Sequence, residues 1–263
     1  MRNVLIKIEY DGTAFHGWQR QPGSRTVQGE IESVLSVLCR GPVSIDGTGR
    51  TDAGVHALGQ CATFSGDFAI PAERIPVAAN GLLAENRNKQ GDIRILSAED
   101  VPADFHARHS AVGKTYVYRI YNAETMPVFL RNYRYNVKKT LDMGAMEKAA
   151  ALLPGTRDYS SFMTASDDFD GSTVKTVYAV NVRGSGRDIS IAVTGSGFLY
   201  NMVRIIAGTL VDVGTGRIAP EDIDGIVSAC DRSKAGHTAP AQGLYMAEVY
   251  FDMEKLLAGA EKY

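Results

Sequence analysis

Arg50 and Asp52 put a guanidinium and a carboxylate two residues apart in Gly47-Thr48-Gly49-Arg50-Thr51-Asp52-Ala53-Gly54-Val55-His56-Ala57. A carboxylate that a nearby cation keeps ionised can serve as a nucleophile or a base. Gly47, Gly49 and Gly54 surround the pair, three glycines within eight residues. Glycine admits positive φ and close approach of the backbone to a ligand, and it weakens helix and strand interiors. The stretch therefore reads as a shaped loop held by regular structure on both sides, where functional side chains often lie. A plainer reading fits the same residues: an Asx-type turn in which Asp52 bonds its own backbone. Taken alone, the loop favours neither.

A second concentration of useful chemistry lies at 104–139. Seven bases (Arg108, Lys114, Arg119, Arg131, Arg134, Lys138, Lys139) stand against two acids (Asp104, Glu124), a local charge of +5. Tyr116, Tyr118, Tyr121, Tyr133 and Tyr135 are interleaved with them. Such a pattern suits phosphate contacts plus base stacking, and equally a solvated strand face with snorkelling lysines. Metal chemistry is not expected. His16, His56 and His237 are isolated, and His106-x-x-His109 lacks the neighbouring Cys or carboxylate set of a zinc site. Phosphate-binding P-loop, dinucleotide-binding and nucleophile-elbow motifs are also missing, so no cofactor is expected and a carboxylate, an arginine and an aromatic remain as the obvious reagents.

The elements that must position these groups follow from periodicity. Val4, Ile6, Ile8 and Tyr10 alternate as a strand ending at Asp11-Gly12. A loop carrying Trp18, Gln19, Arg20 and Gln21 follows. Val27, Ile31, Val34, Leu35 and Leu38 then share one helical face, with Thr26 as N-cap. A second strand starts at Val43-Ser44-Ile45, the Asp52 loop interrupts, and a third covers 60–65. A helix over 72–83 starts behind Pro71, and a strand over 92–97 closes a β-α-β-β-α-β order. That order is the split βαβ, or ferredoxin-like, arrangement.

The second half repeats the plan with additions. A strand is predicted over 114–121, a helix over 141–153 stopped by Pro154-Gly155, and a hairpin of 174–182 with 188–194. Helices follow over 199–213 and 221–230, and a strand over 244–251. In the first of these helices, Arg204 is a lone charge among Val203, Ile206, Ala207 and Leu210. A solvent-facing arginine is the ordinary explanation; Gly195-Ser196-Gly197-Phe198 just before it suggests close approach to another surface. The fold class expected is α+β: two ferredoxin-like subdomains, 1–103 and 104–263, with antiparallel sheets that adjoin or continue and a central cleft.

Composition agrees with a globular chain. Of 263 residues, 44% are hydrophobic and 22% charged, and the net charge of −2 does not by itself announce a nucleic-acid partner. No apolar run approaches a membrane span, and the start lacks a signal-peptide core. Cys39, Cys61 and Cys230 are odd in number and far apart, which points to reduced thiols and a cytoplasmic location.

Gly49-Arg50-Thr51-Asp52-Ala53-Gly54-Val55-His56-Ala57 resembles the signature of the tRNA pseudouridine synthase A family. Six further blocks match in the same order: Tyr10-Asp11-Gly12, Gly17-Trp18-Gln19-Arg20-Gln21, Thr26-Val27-Gln28, Asp104-Phe105-His106-Ala107-Arg108, Gly197-Phe198-Leu199-Tyr200-Asn201-Met202-Val203-Arg204 and Ala239-Pro240-Ala241-Gln242-Gly243-Leu244. The resemblance implies an isomerase that converts uridine to pseudouridine in the tRNA anticodon stem-loop, at positions 38 to 40, as a homodimer without metal or organic cofactor. By position, it implies Asp52 as the catalytic aspartate, Tyr116 as the base-stacking tyrosine, and Arg204 as the arginine that pairs with the aspartate. It further implies Leu244 as the apolar contact to the uracil and Arg50 as the aid to base flipping. Gln19, Arg20, Gln21 and Arg108 fall in blocks that face RNA in such enzymes.

Three positions depart from the family pattern. The loop 85–91 is several residues longer than usual, Arg157-Asp158-Tyr159 stands where His-Asp-Phe is expected, and Thr48 replaces a smaller residue. None touches the implied catalytic set. Two rival readings carry different requirements. A non-catalytic RNA-binding module would keep the basic, tyrosine-rich stretch without needing Asp52 and Arg204. A hydrolase with an Asp nucleophile would need an acidic metal-binding cluster near Asp52, and none is evident in the sequence.

Overall fold

The computed structural model describes residues 2–85, 91–165, 169 and 171–263. In chain order its elements are β1 (Arg2–Tyr10), α1 (Val27–Cys39), β2 (Asp46–Gly47), β3 (His56–Gly66), α2 (Ile75–Glu85), β4 (Ile93–Val101), α3 (Ala107–Ser110) and β5 (Gly113–Asn122). There follow β6 (Tyr135–Val137), α4 (Met143–Ala151), β7 (Gly155–Asp158), β8 (Val174–Ser185), β9 (Asp188–Gly195), α5 (Met202–Gly214), α6 (Ile223–Ala229), β10 (Leu244–Tyr250) and α7 (Met253–Lys262). The chain forms two compact units, Met1–Val112 with Tyr245–Phe251, and Gly113–Leu244 with Asp252–Tyr263. The first thus runs past residue 103 through α3 and also takes in most of β10. Among the described residues no helix is long and apolar enough to cross a membrane.

In the first unit, β1 pairs antiparallel with β4 on one side and β3 on the other. The alternating residues Val4, Ile6, Ile8 and Tyr10 are all buried, as are Val27, Ile31 and Leu35 of α1 and Ile75 and Ala79 of α2. Thr26 caps α1 as its type predicts, accepting the Gly29 N–H at 3.3 Å. The sheet order β4-β1-β3-β2 is that of a ferredoxin-like fold, but β2 is only two residues, pairing Asp46 with Thr63 and Gly47 with Ala62. The start of β3 is instead paired in parallel by β10, through Tyr245 with His56 and Met246 with Ala57. A strand some 190 residues downstream supplying that pairing has no local signal. The long loop 85–91 falls mostly on residues 86–90, outside the described residues.

In the second unit, β5, β9, β8 and β7 pair antiparallel in that order, with β6 parallel to the end of β5. The sequence β5-α4-β8-β9-α5 reprises the opening elements of the first unit, so the α+β class and its ferredoxin-like plan stand. Side chains at 116, 118 and 120 alternate to one face of β5, while α7 covers the other, where Leu256 occupies the space over Gly113. The β8–β9 hairpin turns more tightly than expected: Ser185 still pairs with Asp188, leaving Gly186 (φ +62°) and Arg187 as a two-residue turn. Helix α5 begins at Met202, not at 199, because Asn201 adopts φ 61° and breaks the helical run. β6, β7 and α7 are elements the periodicity did not reveal. Arg157-Asp158-Tyr159 serves packing: Tyr159 is fully buried and donates to the Leu153 carbonyl at 2.6 Å, and Arg157 pairs with Asp224 at 2.8 Å.

Candidate active site

Asp52 lies on the connection from β2 to β3, half-buried, beside the buried Thr51. The backbone around it is fixed from three sides. Thr51 accepts the Trp18 N–H through its carbonyl at 3.0 Å and shares a 2.7 Å bond between its hydroxyl and that of Tyr10. Burial pushes the Tyr10 hydroxyl far above its ordinary pKa, with bonds to Thr51 and Gln60 opposing, so it stays protonated. Upstream, the fully buried Gln60 donates to the Gly49 carbonyl at 2.7 Å and accepts from Thr48, which explains a threonine at that position. Downstream, the Val55 N–H closes a turn onto the Asp52 carbonyl at 3.1 Å, with Gly54 at φ +78°. The turn expected here is closed by the main chain of Asp52.

Close packing leaves this loop little freedom. A Cβ at Gly12 would stand 2.0 Å from the Val55 carbonyl oxygen, and one at Gly17 (φ +87°) 2.6 Å from that of Thr51. The following His56, fully buried, stacks on Tyr245 and accepts the Gly12 N–H at Nδ1. The same Nδ1 also lies 3.2 Å from Asp11 Oδ1, so the ring is anchored to the end of β1 from two directions.

Arg50 and Gln19 are brought together directly: the exposed Arg50 donates from Nε to Gln19 Oε1 at 3.1 Å. Gln19 in turn donates to Gln28 Oε1 at 2.9 Å, and the Arg20 N–H donates to the same oxygen. Gln28 donates to Glu32 Oε1 at 3.0 Å, while the exposed Arg20 guanidinium pairs with Glu32 Oε2 at 2.9 Å. Gln28 and Glu32 are buried polar residues one turn apart on an apolar helix face, a signal in the sequence that could have marked them. Gln21 is exposed and bonds only weakly in geometry to the His16 carbonyl, at 3.3 Å. Arg108 is exposed on α3. Its backbone N–H donates to His106 Nδ1.

In the second unit, Tyr116 is buried on β5 opposite Val193 and meets the ring of Phe198 edge-on at 5.2 Å. Arg204 stands in the first turn of α5, the one residue from Met202 to Gly214 that is not buried. Its Nη1 donates to Asn201 Oδ1 at 2.7 Å and its Nε to the Ala239 carbonyl at 2.8 Å. The left-handed Asn201 that delays the helix is therefore what turns its amide oxygen onto Arg204. Leu244, buried, opens β10 directly after Gly243, whose missing side chain makes room for the Tyr118 ring; the Tyr118 hydroxyl donates to the Pro240 carbonyl at 2.7 Å. Tyr116 and Tyr118 share a face of β5, so this face, the start of α5 and the 239–244 segment converge. Among the described residues, no three His, Cys, Asp or Glu side chains gather to hold a metal ion.

Comparisons with known proteins define the class. The family model described as tRNA pseudouridine synthase matches residues 6–110 and 149–252, spanning both units. A tRNA pseudouridine synthase A of Caldicellulosiruptor bescii is 45% identical over 251 residues, covering 95% of this chain and 100% of that protein. That of Bacillus subtilis is 44% identical over 247 residues, covering 93% and 97%. The chain belongs to the tRNA pseudouridine synthase family.

Proposed function

We propose that this chain isomerises uridine to pseudouridine at positions 38 to 40 of the tRNA anticodon stem-loop, acting as a homodimer in the cytoplasm. Asp52 is the catalytic carboxylate, with Arg50 aiding extrusion of the base. Tyr116 stacks on the flipped uracil, Leu244 is its apolar neighbour, and Arg204 keeps Asp52 ionised. Gln19, Arg20, Gln21 and Arg108 hold the RNA. The observation that carries this reading is the construction around Asp52. A carboxylate-bearing residue half open to solvent sits on a backbone that Tyr10, Trp18, Gln60 and two close-packed glycines hold rigid. A binding module has no use for such precision at an acidic residue facing an anionic polymer.

Flipping a base costs a few kcal/mol, offset by stacking worth about 1–3 kcal/mol and by phosphate contacts. In the reaction the N1–C1′ bond breaks, uracil turns, and C5 bonds to C1′. The C5 proton is then lost, and N1 ends protonated. Asp52 serves as the nucleophile or base of this sequence, with attack at C1′, attack at C6 and abstraction of the 2′ proton as its three possible first steps. The test is chemical mapping of pseudouridine in tRNA transcripts treated with the wild type and with Asp52→Asn. Modification at 38–40 that falls by about 10²–10⁴-fold in the variant, with tRNA binding near normal, is the expected result. Turnover retained by the variant would remove Asp52 from the chemistry.

A further inference from the structure

Residues 236–240 lie as a strap along α5, and their contacts recur once per helical turn. At one end the Gly236 N–H donates to Thr209 Oγ1 at 2.9 Å, and the His237 N–H donates to Asp212 Oδ2 at 3.2 Å. At the other end the Ala239 N–H donates to the Arg204 carbonyl at 3.1 Å, and its own carbonyl accepts Arg204 Nε. Between them α5 offers Gly208, where a Cβ would stand 1.8 Å from the His237 carbonyl oxygen. The strap touches the helix backbone there, and only glycine permits it.

Asp212 and His237 have no part in the chemistry described above, yet they are built with care. Asp212 is 7% exposed, and burying a carboxylate is costly unless it is hydrogen-bonded. Its Oδ2 receives His237 Nδ1 at 3.1 Å as well as the main-chain N–H, and its Oδ1 receives Arg217 Nη1 at 3.0 Å. Burial pushes this carboxyl up, but the bonds from His237 and Arg217 outweigh it and hold it below the ordinary carboxylate value. A carboxylate can only accept, so Nδ1 of His237 carries the hydrogen. The neutral ring then offers Nε2 to the Tyr135 hydroxyl, 3.3 Å away.

We propose that Asp212 and His237 are positioning residues for the reaction: they clamp the strap onto α5, and the clamped strap aims the Arg204 guanidinium and seats Leu244. The inference rests on the roles given above to Arg204 and Leu244. Long side chains need such help. Arg204 has four rotatable bonds, and among its acceptors one comes from its own helix cap and one from the strap. If the strap lifts at 237, the acceptor at 239 moves with it.

The experiment uses the full chain and three variants of one residue. His237→Ala removes the ring, His237→Asn returns a donor at the δ position, and His237→Gln moves the amide to the ε position, toward Tyr135. Two readouts are followed: steady-state kcat and KM on tRNA transcripts, and hydrogen exchange of the Arg204 Nε–H by ¹⁵N NMR, assigned with Arg204→Lys. The expected result is a kcat lowered about tenfold in His237→Ala and His237→Gln, with KM within about twofold, and recovery in His237→Asn. Exchange at Nε should quicken in the first two and return in the third. Should His237→Ala not fold, His237→Gln carries the same readouts. A melting temperature that falls while Nε exchange and kcat stay at wild-type values would overturn the clamp. Quickened exchange with unchanged kcat would also overturn the proposal, by showing that Arg204 is not needed in the chemistry, a failure of the underlying reading and not of the clamp.

Discussion

Asp52 and Arg204 are held in place by opposite means. Around Asp52 the protein immobilises main chain: the neighbouring Thr51 is bonded through both its carbonyl and its hydroxyl, Gly54 closes the turn, and Gly12 and Gly17 let other loops press against it. Around Arg204 the helix already fixes the main chain, and the protein immobilises the side chain, with acceptors placed at Nη1 and Nε. The difference follows from side-chain length. A carboxylate one methylene from its Cα has only a few rotamers to choose from once its backbone is fixed. A guanidinium carries up to about 2 kcal/mol of rotamer entropy that a fixed backbone leaves untouched.

The comparison can be broken first at the side chains. Asp52→Glu leaves the loop intact but advances the carboxylate by one methylene, and a misplacement of that order should lower kcat by about 10²-fold or more. Arg204→Lys keeps the charge but loses the planar fork that matches two acceptors, and a loss of about tenfold is expected. Single-turnover assays at saturating tRNA measure both, and equal losses would erase the distinction drawn here.

A smaller effect should come from filling the close approaches. Gly17→Ala sets a Cβ against the Thr51 carbonyl at a positive φ, and Gly208→Ala sets one against the His237 carbonyl. Each should cost about 1–3 kcal/mol in urea unfolding. Turnover should fall in both, through the loop backbone in the first and through Arg204 in the second. Nε exchange at Arg204 should quicken only in Gly208→Ala.

The smallest effect concerns acid. Because the folded protein holds the Asp212 carboxyl below the ordinary 3.8, the unfolded chain binds more protons as pH falls into that range. The stabilisation is complete above the ordinary value and is lost as pH drops through the folded one. The stability gap between wild type and Asp212→Asn, read from urea curves, should narrow as pH falls below 4.

Much of the first unit was legible. Alternation at Val4, Ile6, Ile8 and Tyr10 marks a strand because side chains in strands alternate faces, and Thr26 marks a helix start because its hydroxyl satisfies an orphan N–H. Glycine density marked the Asp52 loop, and a lone arginine on an apolar helix marked Arg204. The strap was not legible, since Gly236 and His237 acquire meaning only against Thr209 and Asp212, about 25 residues away. Nor was the start of α5, because Asn201 reads as an ordinary polar residue until its left-handed φ is seen. His237 looked isolated in the sequence; its partners come from α5 and β6.

By itself, then, the sequence determined the α+β class and the repeated order of strands and helices, because these rest on periodicity and on residue types within a few positions of each other. Only the tertiary structure decided that the main chain of Asp52 closes the turn of its loop, and that β10 borders the start of β3. It also decided that residues 236–240 lie along α5 and give Arg204 an acceptor at Ala239. Those arrangements depend on hydrogen bonds and close contacts between segments tens to hundreds of residues apart, which the folded chain brings to within about 3 Å.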